Sequence, residues 1–276
     1  MFGEMLKNVK EQVPLVHCIT NYVTVNDCAN ILLACGGSPI MADDEQEVEE
    51  ITTVCDGLTI NIGTLNSRTV ESMMLAGKRA NALDHPILLD PVGVGASALR
   101  TRTAIELLEN VKFTAVRGNI SEIKTLVLGS GNTKGVDANV ADAVTEENRK
   151  RVIAFAGEFS RKTGAVVVIT GAVDLVVGGK RAYVIRNGHP MMSKVTGTGC
   201  MLSAMMAAYL KANKGTPVQA AAAAVCAMGI AGERAYEKML AVHGGSGSYR
   251  MFLMDEISNM NAEILDRDAR YEVYEI

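Results

Sequence analysis

The chain has 276 residues, 48% of them hydrophobic and 21% charged, with 26 Gly against 6 Pro. That balance excludes a disordered or collagen-like polymer and supplies enough apolar side chains for a sizeable core. A net charge of −4 offers no general attraction to nucleic-acid backbones or anionic lipid, and with no Trp, 5 Phe and 7 Tyr there are few aromatic platforms for base stacking. The expectation is one domain spanning residues 1–276, with neither nucleic acid nor a membrane surface as partner.

The start, MFGEMLKNVKEQVP, is charged and lacks the long apolar region of a signal peptide. The six cysteines (Cys18, Cys28, Cys35, Cys55, Cys200, Cys226) contain no CxxC pair, so they read as free thiols of a cytoplasmic protein. Short apolar runs at Leu15–Ile19, Pro39–Met41, Leu58–Ile62, Ile87–Leu89, Phe113–Val116 and Ala165–Ile169 predict buried strands. Between them, amphipathic stretches predict helices over Asn26–Ala34, Glu45–Val54, Ser67–Ala80, Thr101–Leu108, Glu122–Leu128 and Glu146–Arg161, several ended by Gly. Strand and helix alternate throughout. Parallel neighbours need crossover connections, so this order predicts an α/β fold with a mainly parallel sheet and helices on both faces.

The pattern changes after Ile169. Asp174–Val177 and Arg181–Ile185 flank Gly178-Gly179, a hairpin signal that predicts a small antiparallel edge. Helices are then expected over Met201–Lys211, Val218–Leu240 and Met251–Ala262, followed by a closing run Tyr271–Tyr274. The stretch from Gly215 to Gly232 is rich in Ala and Gly and reads as a tightly packed internal helix, not a membrane span. Gly129–Asp142 is polar and Gly-rich and is the expected mobile excursion.

In open α/β sheets ligands bind beyond the carboxyl ends of the strands. Those positions hold Asn21, Asp90, Arg117-Gly118-Asn119 with Glu122, and Thr170-Gly171. A further feature, Thr196-Gly197-Thr198-Gly199-Cys200, puts a Gly-rich turn directly before a helix. Its free N–H groups at Gly197, Thr198, Gly199 and Cys200 suit a phosphate or a developing phosphoryl charge, and the same location favours the thiolate of Cys200. An ordinary tight turn with a packed cysteine fits the local sequence as well. Asp90, between an apolar strand and Pro91, and Glu122 are the metal candidates, with oxygen chemistry suited to magnesium; a turn cap and a helix-capping glutamate are the alternatives. Arg117 could clamp a nucleotide phosphate or pair with a neighbouring acid. The run Asp43-Asp44-Glu45 with Glu47, Glu49 and Glu50 reads as the acidic start of an exposed helix.

No GxxxxGK[ST], no strand-following GxGxxG and no GxSxG occurs, and the four histidines lack zinc-ligand spacing. Taken in order, DPVGVGA, RGNISE, VITG and TGTGC resemble the ribokinase superfamily of small-molecule alcohol kinases. The stretch from Val16 to Asp44, with HCITNYVTVND, is similar to its hydroxyethylthiazole kinase family. The resemblance implies a ribokinase-like fold and transfer of the ATP γ-phosphoryl group to the alcohol of 4-methyl-5-(2-hydroxyethyl)thiazole, in thiamine biosynthesis or salvage. It further implies that Asn21, Arg117 and Thr170 contact ATP, that Asp90 and Glu122 organise Mg2+, and that Met41 and Gly197 line the thiazole pocket. Cys200 takes the place of a catalytic acid residue, and a homotrimer has its active sites between subunits. A hydroxymethylpyrimidine (phosphate) kinase and a non-catalytic thiazole- or nucleotide-binding module are the competing readings.

Overall fold

The computed structural model describes residues 2–129 and 144–276, so the proposed excursion Gly129–Asp142 lies, beyond Gly129, outside the described residues. Its centre is a nine-stranded sheet in the order β2-β1-β3-β4-β5-β6-β7-β8-β9. The first six strands in the chain are β1 (Leu15–Ile19), β2 (Ser38–Met41), β3 (Gly57–Asn61), β4 (Ile87–Asp90), β5 (Ala115–Gly118) and β6 (Val166–Ile169), all paired in parallel. The antiparallel edge is β7 (Asp174–Gly178), β8 (Arg181–Ile185) and β9 (Tyr271–Glu275). The predicted hairpin and closing run therefore complete one edge of the same sheet.

Helices cover both faces. Side chains alternate along each strand, and the two faces feed separate cores. On one side Val16, Cys18, Leu88, Val166 and Val168 pack with α1 (Phe2–Gln12), α2 (Val25–Cys35), α8 (Thr198–Ala212), α9 (Pro217–Ala241) and α10 (Ser246–Ser258). On the other, Ile60, Leu89, Val116, Val167 and Ile169 meet α4 (Ser67–Ala82), α5 (Ala98–Asn110), α6 (Ile120–Gly129) and α7 (Arg149–Thr163), with Val48 of α3 (Val48–Val54). Each fully buried aliphatic side chain of this kind contributes about 1.5–3 kcal/mol.

Local chemistry explains the element ends. Asn66 and Thr69 form a reciprocal capping box at the start of α4, while Gly36 and Gly164 end α2 and α7 in the left-handed conformation that glycine adopts without strain. The structure adds α1, whose Phe2, Leu6 and Val9 recur at helical spacing and are buried; the charges between them hid that stripe. The predicted helix Met251–Ala262 is two helices, α10 and α11 (Ala262–Asp268), because the Asn261 side chain caps a new start by accepting from Ile264 N–H. A short 3-10 helix, Pro190–Lys194, was also not anticipated. Ala220 to Gly232 of α9 is buried throughout, as a packed internal helix requires, and among the described residues no helix is long and apolar enough to cross a membrane.

Candidate active site

Strand alternation aims the chemistry. Ile60, Leu89 and Val116 belong to the core with α4–α7, so the next residues, Asn61, Asp90 and Arg117, point to the opposite face, where α8 starts. Asn61 and Asp90 are paired in register on neighbouring strands. Three polar side chains thus meet the TGTGC turn at the carboxyl ends of β3, β4 and β5.

Asp90 is fully buried. Its Oδ2 accepts from Ser203 Oγ at 2.7 Å, from Asn61 Nδ2 at 3.0 Å and from Arg117 at 3.5 Å, whereas Oδ1 is buried without a partner. Burial pushes the Asp90 carboxyl up, and the Arg117 guanidinium and Ser203 hydroxyl oppose that shift. Arg117 also donates to Thr170 Oγ1 at 2.6 Å, and its Nε is buried and unpartnered. Both sequence readings of Arg117 are compatible with this geometry, since it pairs with Asp90 yet retains donors toward the α8 turn.

At that turn Gly197 is the N-cap, with φ +88, and no side chain caps the helix. A Cβ on Gly197 would lie 2.5 Å from Thr24 Cγ2, and one on Gly199 would lie 2.5 Å from both terminal nitrogens of Arg117. Glycine is required at 197 by conformation and at both positions by close approach. The amides of Thr198, Gly199 and Cys200 therefore begin a helix beside the guanidinium, a setting that favours an anion.

Cys200 is the one cysteine of the six that is not buried. Its Sγ accepts from Asn21 Nδ2 and Asn61 Nδ2, each at 3.2 Å. The expectation that the helix start favours the thiolate is not met. Burial and the nearby Asp90 charge push the Cys200 thiol up, and together they outweigh hydrogen bonds from Thr24, Asn21 and Asn61. At rest Cys200 is a thiol.

Glu122 has the capping geometry that was its alternative reading: Oε2 accepts from Asn119 N–H at 2.8 Å and Asn119 Oδ1 accepts from Glu122 N–H at 2.9 Å. Its other oxygen accepts from Gly93 N–H at 2.8 Å, which ties the loop after β4 to α6. Met41 ends the outer strand β2, opposite Cys18 in register. Asp43 and Asp44 pair with Arg68 of α4, and Asp44 Oδ1 accepts from Gln46 N–H just before α3.

Beside the Arg117–Gly199 contact lies a cavity of about 480 Å³. One end carries Arg117, Thr170, Thr198 and Gly199; the far end is walled by Pro190, Leu202, Val225 and Met228, with Asn187 and Asp174 as polar groups. An apolar wall with a few convergent polar groups is the usual form of a nucleoside-sized site. Burial pushes the Asp174 carboxyl up to about 7. Glu233 holds the far rim by accepting from Gly188 N–H at 2.6 Å, and His189 stacks on Tyr236. A second cavity, about 440 Å³ and lined by Asn81, Leu108, Lys112 and Phe159, sits at the amino ends of the strands, away from all of these groups.

Sequence reasoning missed Asn61, Thr24, Ser203 and Arg100. Arg100 donates to the carbonyls of Val92 and Gly63 and so joins the loops after β4 and β3. Asn61 carried one signal, a polar residue inside the apolar run Leu58–Ile62, but an asparagine near a strand end reads equally as a turn residue.

Known proteins of similar structure and sequence place this arrangement. A ribokinase-like superfamily protein from Enterococcus faecalis superposes with a TM-score of 0.61 at 12% identity, covering 94% of this chain and 95% of that one. The structure of a hydroxyethylthiazole kinase protein from Pyrococcus horikoshii superposes with a TM-score of 0.87 at 38% identity, covering 99% of both chains. Fold and site together define a ribokinase-like phosphotransferase. A hydroxyethylthiazole kinase from Clostridium acetobutylicum is 62% identical over 99% of this chain and 100% of its own length. The model of the hydroxyethylthiazole kinase family matches residues 6–263, and the chain belongs to that family.

Proposed function

We propose that this protein phosphorylates the primary alcohol of 4-methyl-5-(2-hydroxyethyl)thiazole with ATP, in thiamine salvage. The observation that carries the reading is family membership across residues 6–263. The site chemistry supports it. A nucleoside fits the 480 Å³ cavity, with its phosphates directed to Arg117, Thr170 and the amides of Thr198, Gly199 and Cys200. Asn21, assigned to ATP by the family resemblance, stands beside Cys200 with its side chain held by Asn61, Thr24 and Cys200, so it shapes the phosphate end of the site. The alcohol sits on the Cys200 side, with Gly197 and Met41 in the thiazole pocket.

Phosphoryl transfer asks the protein mainly for positioning and for positive charge where negative charge gathers. Arg117 and the α8 amides supply the charge. Asp90, whose Oδ1 lacks a partner, and Glu122, with carboxylate lone pairs remaining, fit a magnesium ion carried by the nucleotide. When bound, that ion neutralises phosphate charge. As the γ-phosphoryl group passes to the alcohol oxygen, ADP leaves and the alcohol proton must find an acceptor. Cys200 faces that oxygen, but as a thiol it already carries a proton and can accept the alcohol proton only after giving up its own.

Incubation with ATP, Mg2+ and a panel of thiazole and pyrimidine alcohols, with mass detection of products, tests the reading; phosphate on the pyrimidine alone would overturn it. Cys200→Ala is expected to lower kcat about 10²-fold, the low end for a general base, with the KM for ATP nearly unchanged. Unchanged turnover would remove Cys200 from the chemistry.

The same reading includes a homotrimer with sites between subunits. Support comes from the exposed apolar residues Tyr22 (77% exposed) and Val23 (56%) beside the site and Leu33 (59%) farther along α2, which a neighbouring chain would cover. Light scattering on the purified protein should give three times the chain mass; the mass of one chain would refute it. Cytoplasmic location draws support from six unpaired cysteines.

A further inference from the structure

Asn61 is 1% exposed, yet its side chain makes four hydrogen bonds, three to other segments and one within its own loop. Oδ1 accepts from the Gly63 N–H at 2.9 Å and from Asn21 Nδ2 at 3.0 Å. Nδ2 donates to Asp90 Oδ2 at 3.0 Å and to Cys200 Sγ at 3.2 Å. A backbone N–H can only donate, so the Gly63 contact fixes which end of the amide is oxygen. The NH2 group must then face Asp90 and Cys200.

Asn21 is locked by the same logic. Its Oδ1 accepts from Thr24 N–H and Oγ1, which leaves its Nδ2 for Asn61 Oδ1 and Cys200 Sγ. All four amide protons are assigned, and two of them end on the sulfur. The thiol proton cannot point at either asparagine, because both present donors. Its remaining partners are the Thr24 hydroxyl and the open substrate side.

We propose that Asn61 is a positioning residue for phosphoryl transfer: a single amide fixes Asp90 and Cys200 relative to each other and keeps the sulfur lone pairs oriented as acceptors. The proposal deepens the functional reading above and rests on the roles given there to Asp90 and Cys200. The groups facing the sulfur are Asp90 from β4, Thr24 and Cys28 from the β1–α2 connection and α2, Asn21 and Asn61 itself.

Asn61→Asp tests it with little change in volume. The oxygen that accepts from Gly63 and Asn21 is retained, while both donated N–H groups are lost. Asn61→Asp also adds a negative charge beside Asp90, so Asn61→Ser, which removes the amide without adding charge, must show the same losses. Expected results are a kcat about thirtyfold lower with KM for both substrates within about threefold, and alkylation of Cys200 by iodoacetamide, followed peptide by peptide, slowed about tenfold. Combined with Cys200→Ala, the loss should fall at least tenfold short of the product of the single losses, because both changes remove one interaction. Alkylation of Cys200 at the wild-type rate in a folded variant overturns the proposal. Failure of the wild-type protein to phosphorylate the thiazole would sink the functional reading instead, and the alkylation rates would still decide the role of Asn61.

Discussion

Replacing Asp90 by Asn is expected to lower kcat about 10³-fold while leaving the fold intact. The carboxyl is wholly buried, and one oxygen accepts from Ser203, Asn61 and Arg117 while the other has no partner. The amide oxygen of Asn can take over the first position and its NH2 the second. The charge is removed, and a buried acceptor without a partner becomes a buried donor without one. Losing a preorganised electrostatic element typically costs 10²–10³-fold, and 10³-fold corresponds to about 4 kcal/mol of barrier. Stability should fall as well, because the largely buried Arg117 loses the carboxylate it pairs with. Turnover measured against Mg2+ concentration, with a melting curve as control, checks this. An unaltered magnesium titration with normal kcat would show that Asp90 serves only as a hydrogen-bond acceptor for Ser203 and Asn61.

Gly199→Ala is expected to separate stability from activity. A Cβ there would fall 2.5 Å from both terminal nitrogens of Arg117, so the end of a flexible side chain must move. The helix itself gains from alanine, by up to about 1 kcal/mol in an interior position. Melting temperature should hold or rise. Arg117, displaced from Thr170 and from the phosphate end of the cavity, loses its placement, and misplacement of about 1 Å can cost 10²-fold. We therefore expect kcat/KM for ATP to fall about 10²-fold, with the loss carried mainly by ATP and not by the thiazole alcohol. Equal losses for both substrates would indicate general disruption of the α8 start.

The two variants draw on residues of different legibility. Asp90, Arg117 and Thr170 were readable because each follows a short apolar run, where a polar residue is costly unless it has work or a partner. TGTGC was readable because two glycines before a helix mark a close approach. Asn61 lies inside the run Leu58–Ile62, and asparagine is so common in turns that its type said nothing. Its four partners come from β1's loop, β4, α8 and its own loop, and only the folded chain joins them.

Fold followed the same division. Short continuous apolar runs alternating with amphipathic stretches were enough for a mainly parallel sheet, and Gly178-Gly179 marked the antiparallel edge, since these signals act within a few residues. The boundary between α10 and α11 escaped because it rests on the single cap Asn261, and α1 because charges interrupt its apolar stripe, whose Phe2 meets the tilted rings of Tyr183 and Tyr271 far along the chain.

The sequence by itself determined the strand order along the chain, the glycine turn before α8 and the residue types available at the strand ends, all of which are local properties. The state of Cys200 was decided by tertiary structure alone. A helix start read in isolation lowers a thiol's pKa, but the folded protein buries this one and sets Asp90 close to it, and charge interactions across a dry interior depend on distances that no local pattern contains.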